Sequence, residues 1–499
     1  MGVKEGKMTE PVMIPWQEFP ELSPTFEEMC PRISLLRKWN KRYVRGLEEL
    51  MSRARSFARN KIWAKALEIE EKVFNDARYF DWEITREGTK QGWLSFAVPK
   101  EVGGEGYLVA GVSIAMEEMC SACAGIANIF GAHALGFSAI ALSLDMEVFD
   151  RHLRKIVDSA KKGEPWLFSL DITEPSAGSD VEDAEGLEKA KLTLEAKKVS
   201  GGYILNGRKC FISNGSVART HFVTAALDRK KPLESFTAFV VPSDAKGLSI
   251  GRVEKKMGQK ACPAAEVVFE DVFVPEPDRL GKEGEGMLHT IVILSASRGP
   301  VGAIGLGIAR GAFERAYYYA HTTKKNGRYL IEDQAVQYLL AEMQRQIQVA
   351  RQAVFDSAFY FDFEHVPKML SLPSNKIITK LFPYSVRSAK LVQRLMPWDW
   401  LYQFLRTRTE EEVPILTRSR SVRLSSIAKV SGTDTAVQVS RMAMEILGEE
   451  AVLKNWGVEK CFRDAKLTQI YEGTNQINRL AIIKELRKPG ISERIEFKQ

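Results

Sequence analysis

The strongest constraint on the fold of this chain is a change of hydrophobic period, made twice. From about Glu48 to Lys162 apolar residues recur at helical spacing, near Pro165 the pattern becomes one of short strands, and from Gly284 to about Lys488 helical spacing returns. Glu49–Phe74 is a single amphipathic stretch, and Val102–Tyr107 is a Gly-rich break. Val109–Leu144 is apolar nearly all round, as in a helix enclosed by a bundle. Lys197–Leu205, Phe222–Leu227, Phe236–Val241 and Ala265–Phe273 are rich in Val, Ile, Phe and Thr and separated by Gly, Asn, Asp and Pro, as in a small antiparallel barrel or sandwich. Two helical halves flanking a β unit must pack together, leaving a crevice beside the β unit where a ligand is expected.

At 499 residues the chain exceeds what one core holds, since single cores stop growing at about 250–300 residues. The expected fold class is α+β. The expected units are an N-terminal extension (1–47), an N-terminal helical domain (48–164), a central antiparallel β-barrel domain (165–280), a C-terminal helical domain (281–488) and a tail (489–499). Composition, at 45% hydrophobic and 27% charged, excludes wholesale disorder. No uncharged apolar run approaches the ~20 residues of a membrane span. The first 30 residues, with Lys4, Glu5, Lys7, Glu10 and several prolines, lack the apolar core of a secretory signal, so a cytoplasmic protein is expected. Six cysteines are no disulfide framework, and the Cys120–Cys123 CxxC lies in a helical run without a second pair, so buried thiols are expected and no metal. A net charge of +7 does not point to nucleic acid.

Two segments stand apart. Residues 366–414 read as an insertion: between Lys368 and Arg408 eight Lys/Arg face only Asp399, and Val386, Ala389, Val392 and Leu395 share a helical face with Arg387, Lys390 and Arg394 on another. With Trp398–Phe404 beyond, this fits an extra helical hairpin on the subunit itself or at an oligomer interface, a peripheral membrane contact, or a protein partner. At the other end Trp16, Phe19, Phe26 and Trp39 among prolines predict an arm laid over the body.

Four segments carry a resemblance: Asp171-Ile-Thr-Glu-Pro-Ser-Ala-Gly-Ser-Asp180, Lys256–Pro275, Arg298–Gln337 and Arg463–Arg479, the last containing Tyr471-Glu-Gly-Thr474. In order and spacing they resemble the acyl-CoA dehydrogenase family. The resemblance implies α,β-desaturation of an acyl-CoA thioester: a carboxylate takes the α proton and the β hydrogen leaves as hydride to N5 of FAD. Such a carbon acid is weak, so the carbonyl oxygen needs donors and the base needs a raised pKa. Glu472 matches the family's base, its amide one carbonyl donor, and Tyr471 and Gly473 flank it. Some members place the base just before the motif arginine; here that position is Ser297, ahead of Arg298. Thr173 matches a flavin-ring contact, and Phe211-Ile-Ser213 stands where Trp-Ile-Thr is usual. Gly473, Thr474, Gln476 and Gln334 match FAD contacts. Ser179 matches a position near both FAD and substrate, and Arg298 one near the CoA-bearing end, where a structural ion pair is the alternative. An electron-transfer flavoprotein or similar acceptor, and a homodimer or homotetramer, follow as family expectations.

The chain departs from the family at the FAD pyrophosphate. Arg-x-x-Phe-Gly reads Thr323-Lys-Lys-Asn-Gly327, with Thr323 and Asn326 in place of the arginine and the aromatic, and Leu-Gly-Gly reads Leu447-Gly-Glu-Glu450. Glu449 would oppose the phosphates, while Lys324, Lys325 or Arg328 supplies compensating charge. These changes leave two alternatives open: an acyl-CoA lyase, hydratase or decarboxylase without FAD redox turnover, and a non-catalytic assembly or binding paralogue. Gly302-Ala-Ile-Gly-Leu-Gly307 neither completes GxGxxG nor follows a strand, and predicts close helix packing.

Overall fold

The computed structural model describes residues 10–143, 146–365 and 415–486. Residues 366–414, read from the sequence as an insertion with a basic amphipathic stretch, lie outside the described residues, as does the tail at 489–499. The N-terminal helical part comprises α1 (Lys41–Phe57), continued through a π-helical turn at Ala58–Ile62 into α2 (Trp63–Asn75), then α3 (Trp82–Lys90), α4 (Val109–Ser143) and α5 (Met146–Lys161). Residues 10–40 lie across it as expected: Trp16 meets Trp63 edge-on at 4.9 Å, Phe19 meets Tyr318 at 5.5 Å, and Val12 N–H donates to the Asn455 carbonyl. Trp39, by contrast, is exposed.

The β domain has β1 (Phe168–Asp171), β2 (Glu195–Val199), β3 (Gly202–Ser213), β4 (Thr220–Ala226), β5 (Phe236–Pro242), β6 (Leu248–Val253), β7 (Ala264–Pro275) and β8 (Arg279–Leu280). They form one eight-stranded sheet in the order β6-β7-β3-β2-β4-β5-β8, with β1 beside β4. Neighbours pair antiparallel except β1–β4 and the single β2–β4 register, which are parallel. One sequence expectation is corrected here. Lys197–Leu205, read as one strand, is the end of β2, a turn, and the start of β3, because Gly201 takes φ 79° and reverses the chain.

The C-terminal part holds α6 (Gly286–Thr322), a two-stranded hairpin of β9 (Lys324–Lys325) and β10 (Arg328–Tyr329), then α7 (Gln334–Tyr360), α8 (Ile415–Leu447), α9 (Val458–Thr468) and α10 (Asn475–Leu486). By length and composition the Val109–Ala141 and Gly286–Thr322 helices are apolar enough to cross a membrane, but 83% of each apolar window is buried inside the protein. They are the core helices. The glycine run is a helix contact: a β carbon on Gly302 would lie 2.5 Å from the Ala428 carbonyl, and one on Gly432 would lie 2.2 Å from that of Gly302. Backbone-to-backbone contact between α6 and α8 brings the side chains flanking that crossing, Ser297 and Arg298 on one helix and Lys429 on the other, to the same end of the bundle. All six cysteines are free and buried. Helix α4 is interrupted at Cys123, whose backbone is extended, where the loop at Gln259 comes within 3.1 Å of a β carbon built on Gly125.

Candidate functional site

The turn between α9 and α10 carries Tyr471, Glu472, Gly473 and Thr474. Glu472 has φ 56° and Gly473 φ 75°, two successive left-handed residues, which for a glutamate is uncommon and points to a backbone held for a purpose. Three contacts hold it. Asn478 Nδ2 donates to the carbonyls of Glu472, Gly473 and Thr474 at 2.9–3.2 Å. Lys429 Nζ donates to the Gly473 carbonyl at 2.7 Å and to Asn475 Oδ1 at 2.6 Å. Thr474 N–H donates to Ser179 Oγ at 3.3 Å, and Thr474 Oγ1 caps α10 by accepting from the Ile477 amide.

The Glu472 side chain is half-buried and points at α6, where Ser297 Oγ donates to its Oε2 at 2.5 Å. Burial raises its carboxyl above the ordinary glutamate value, against the Ser297 hydrogen bond and the charges of Arg298 and Lys429. The Glu472 amide has no hydrogen-bond partner among the described residues. A carboxyl of raised pKa beside an unused N–H can take a proton from one atom while that N–H polarises a neighbouring carbonyl. Ser297 thus reaches the Glu472 carboxylate as a donor.

The other expected residues lie in several separate places. Tyr471 lies beneath the turn, its hydroxyl 3.2–3.3 Å from the Gln259 side chain and its phenol pushed up by burial. Arg298 is 4% exposed and occupied within the fold: Nη2 donates to Glu182 Oε2 at 3.0 Å and Nη1 to Ser426 Oγ at 3.1 Å. It therefore sits as an ion-paired residue close to Glu472. Thr173 and Phe211 are joined through the Cys210 amide, which donates to the Thr173 carbonyl at 2.9 Å. Phe211 has φ 58°, stands at the irregularity where β3 slips against β7, and exposes 61% of its surface. A left-handed aromatic on a bulge with a bare ring fits a flat ring ligand, and Ser213 follows two residues on in β3. Gln476 and Gln334 are exposed, on the first turns of α10 and α7.

The changed residues of the Thr323–Gly327 and Leu447–Glu450 segments gather at one end of α6. Asn326 (φ 53°) and Gly327 (φ 84°) form the two-residue turn of the β9–β10 hairpin, which explains the Asn: both central positions need left-handed backbone. Lys325 and Arg328 are exposed there, and Lys324 Nζ lies 4.5 Å over the Tyr329 ring. Tyr319, whose hydroxyl burial raises, meets the Thr323 side chain and the charges of Glu450 and Glu449, so the changed residues are neighbours in space.

Sequence reasoning missed Glu182, Lys429 and Asn478. Glu182 lies two residues past the first recognised segment, Asn478 lies within the last one but was given no role, and Lys429 lies outside all four; the fold brings Glu182 and Lys429 to the turn.

Comparison with known proteins gives a consistent answer. The profile of the acyl-CoA dehydrogenase N-terminal domain matches residues 46–159, that of the middle domain 169–272, and that of the C-terminal domain 284–386 and 400–487. The short-chain-specific acyl-CoA dehydrogenase of Clostridium acetobutylicum is 30% identical over 439 residues, 88% of this chain and 97% of that protein. The NADH-dependent acryloyl-CoA reductase of Anaerotignum propionicum is 30% identical over 445 residues, 89% of this chain and 95% of that protein. Among solved structures, butyryl-CoA dehydrogenase from Megasphaera elsdenii superposes with a TM-score of 0.70 at 27% identity, covering 89% of this chain and 98% of that one.

Proposed function

Because this chain belongs to the acyl-CoA dehydrogenase family, we propose that it α,β-dehydrogenates an acyl-CoA thioester, with Glu472 removing the α proton. The observation that carries this reading is the Glu472 turn: a half-buried carboxyl of raised pKa, held by one hydroxyl, next to a backbone N–H that has no partner among the described residues. The thioester carbonyl oxygen accepts from that N–H, which stabilises the enolate-like charge as the α C–H bond breaks and the proton passes to Glu472. Left-handed backbone at Glu472 and Gly473 lets the amide and the carboxylate of one residue face the same ligand. Gly473 leaves no side chain in the way.

The residues present fit FAD. Thr173, Phe211 and Ser213 would hold the ring, Ser179, Gly473, Thr474 and Gln476 line the turn beside it, and Gln334 with Lys324, Lys325 and Arg328 offers donors and positive charge for the nucleotide end. When bound, FAD supplies the acceptor for the hydride leaving the β carbon. An electron-transferring flavoprotein or similar carrier takes the electrons onward, and the chain assembles as a homodimer or homotetramer. Relatives named for dehydrogenation and for reduction share this framework, and the same proton site serves either direction.

The second reading, an acyl-CoA lyase, hydratase or decarboxylase, is favoured by Thr323, Asn326 and Glu449 at the nucleotide end. One experiment separates the two. Acyl-CoA is supplied to the purified protein with and without an artificial electron acceptor. Acceptor-dependent enoyl-CoA formation is the expected result; turnover independent of acceptor overturns dehydrogenation.

A further inference from the structure

Glu182 closes the helical turn Ser179–Glu182, and neither the matched motifs nor the reaction gives it a role. Its side chain is 12% exposed, and Oε2 accepts from Arg298 Nη2 at 3.0 Å. The same oxygen lies against the base's neighbour: a β carbon built on Gly473 would sit 2.2 Å from it. Glu182 thus touches the residue after Glu472 and grips the residue after Ser297, which donates to Glu472.

The ionisable groups here come from four elements. Arg298 comes from α6, Lys429 from α8, Glu472 from the turn before α10 and Glu182 from the turn after β1, with Asp434 farther along α8 acting on Lys429. Two carboxylates therefore share two cations. Lys429 is spent on backbone and Asn475, and Arg298 is hydrogen-bonded to Glu182 and Ser426. Neither cation hydrogen-bonds Glu472, whose one side-chain hydrogen bond among the described residues is with the neutral Ser297.

We infer that Glu182 is a positioning residue for the reaction: by pairing with Arg298 it offsets part of that guanidinium's charge at Glu472 and so sets how strong a base Glu472 is. The inference rests on Glu472 being the base. With Glu182 ionised, Arg298 is neutralised locally and Glu472 binds its proton more tightly, which suits removal of a weakly acidic α proton. With Glu182 protonated, the field of Arg298 falls on Glu472 and the base weakens. Burial is the main cause holding the Glu182 carboxyl up at about 7, with Arg298 opposing it and the charge of Glu472 adding to it, so this switch operates near neutrality.

The test is the pH dependence of kcat/KM, with acyl-CoA and an artificial acceptor, for the parent and the variants Glu182→Gln, Glu182→Asp and Glu472→Gln. The parent should lose rate in two steps as pH falls, since two coupled ionisations govern the base. Glu182→Gln should show one step, at lower pH, with a plateau about three- to tenfold below the parent's. Glu182→Asp should restore the second step. A Glu182→Gln profile that superimposes on the parent's, or that is scaled down without change of shape, overturns the inference. Should that variant not fold, a single-step acid limb in the parent overturns it equally. Glu472→Gln separates the two claims: full activity there removes the base itself, whereas an inactive Glu472→Gln beside an unshifted Glu182→Gln removes only the role of Glu182.

Discussion

The two ends of the site differ in how their charges are kept. Around Glu472 each charged group is engaged inside the fold: Arg298 with Glu182, Lys429 with Gly473 and Asn475, and Asn475 in turn with Thr433 and Asp434. At the hairpin, Lys325, Arg328 and the nearby Glu449 are exposed, and none forms an ion pair among the described residues. On the proposed function, the difference follows from what each end must do. A group that moves a proton must be held in one geometry and freed of water by its own chain, because its pKa depends on both. Groups that meet a charged ligand at the surface need only be near it, and their contribution is a screened field. The departures at Thr323, Asn326 and Glu449 fall at the second end, where on the proposed reading a changed residue costs affinity without disturbing the core.

The largest effect that tests this contrast is at the closed end. Glu472→Gln keeps an acceptor for Ser297 and should fold with an unchanged melting temperature, while turnover falls by about 10²–10⁴-fold. A folded variant with parental turnover would mean that the engaged end is structural. Next comes the open end. Replacing Lys324, Lys325 and Arg328 together by Ala should weaken FAD binding by about tenfold, at roughly 0.5 kcal/mol for each exposed charge. The melting temperature of the cofactor-free protein should barely move, because the side chains are exposed and only Lys324, over the Tyr329 ring, makes a hydrogen bond, ion pair or ring contact among the described residues. Flavin titration at two salt concentrations measures it, and a salt-independent loss would place the hairpin's effect in structure rather than charge.

A smaller effect lies between them. Ser297→Ala removes the donor that favours the ionised Glu472, so its carboxyl rises further above the ordinary value. A raised base loses its negative form at higher pH. The acid limb of kcat/KM should therefore move upward by about one unit, as expected for a hydrogen bond to a charged group. Activity on the alkaline side should persist. A downward shift would show that Ser297 hydrogen-bonds the protonated carboxyl instead.

Much of this was legible in the sequence, for identifiable reasons. The period changes marked the helical and β parts because each element buries one face, and Glu472 was readable because Tyr-Glu-Gly-Thr places a carboxylate beside a glycine in a recognisable run. The Gly302–Gly307 run was readable as helix contact because no strand preceded it. Less legible were features set by contacts between distant elements. The turn inside Lys197–Leu205 was hidden because strand-forming residues flank both sides of Gly201, and a two-residue reversal leaves the alternation nearly intact. Glu182 and Lys429 were invisible as a pair because 247 residues separate them. Arg298 could be read as a contact near the CoA-bearing end or as an ion pair until its partner was placed.

The finest test concerns Glu449 alone. It follows Gly448, whose φ of 61° turns the chain at the end of α8, and its charge reaches Tyr319 at the hairpin end of α6. If the nucleotide's phosphates lie at that end, Glu449 opposes them through solvent and the penalty is small. Glu449→Gln removes the charge and leaves the turn intact. FAD affinity should rise by about threefold near 0.01 M ionic strength, where the screening length is about 30 Å, and the gain should vanish near 1 M, where it is about 3 Å. The sign is opposite to that for the hairpin cations, so the two measurements calibrate one another: a gain at Glu449 with a loss at the hairpin places both around one diphosphate. No gain at low salt would leave the hairpin as the charged edge of that end and assign Glu449 to ordinary solvated surface.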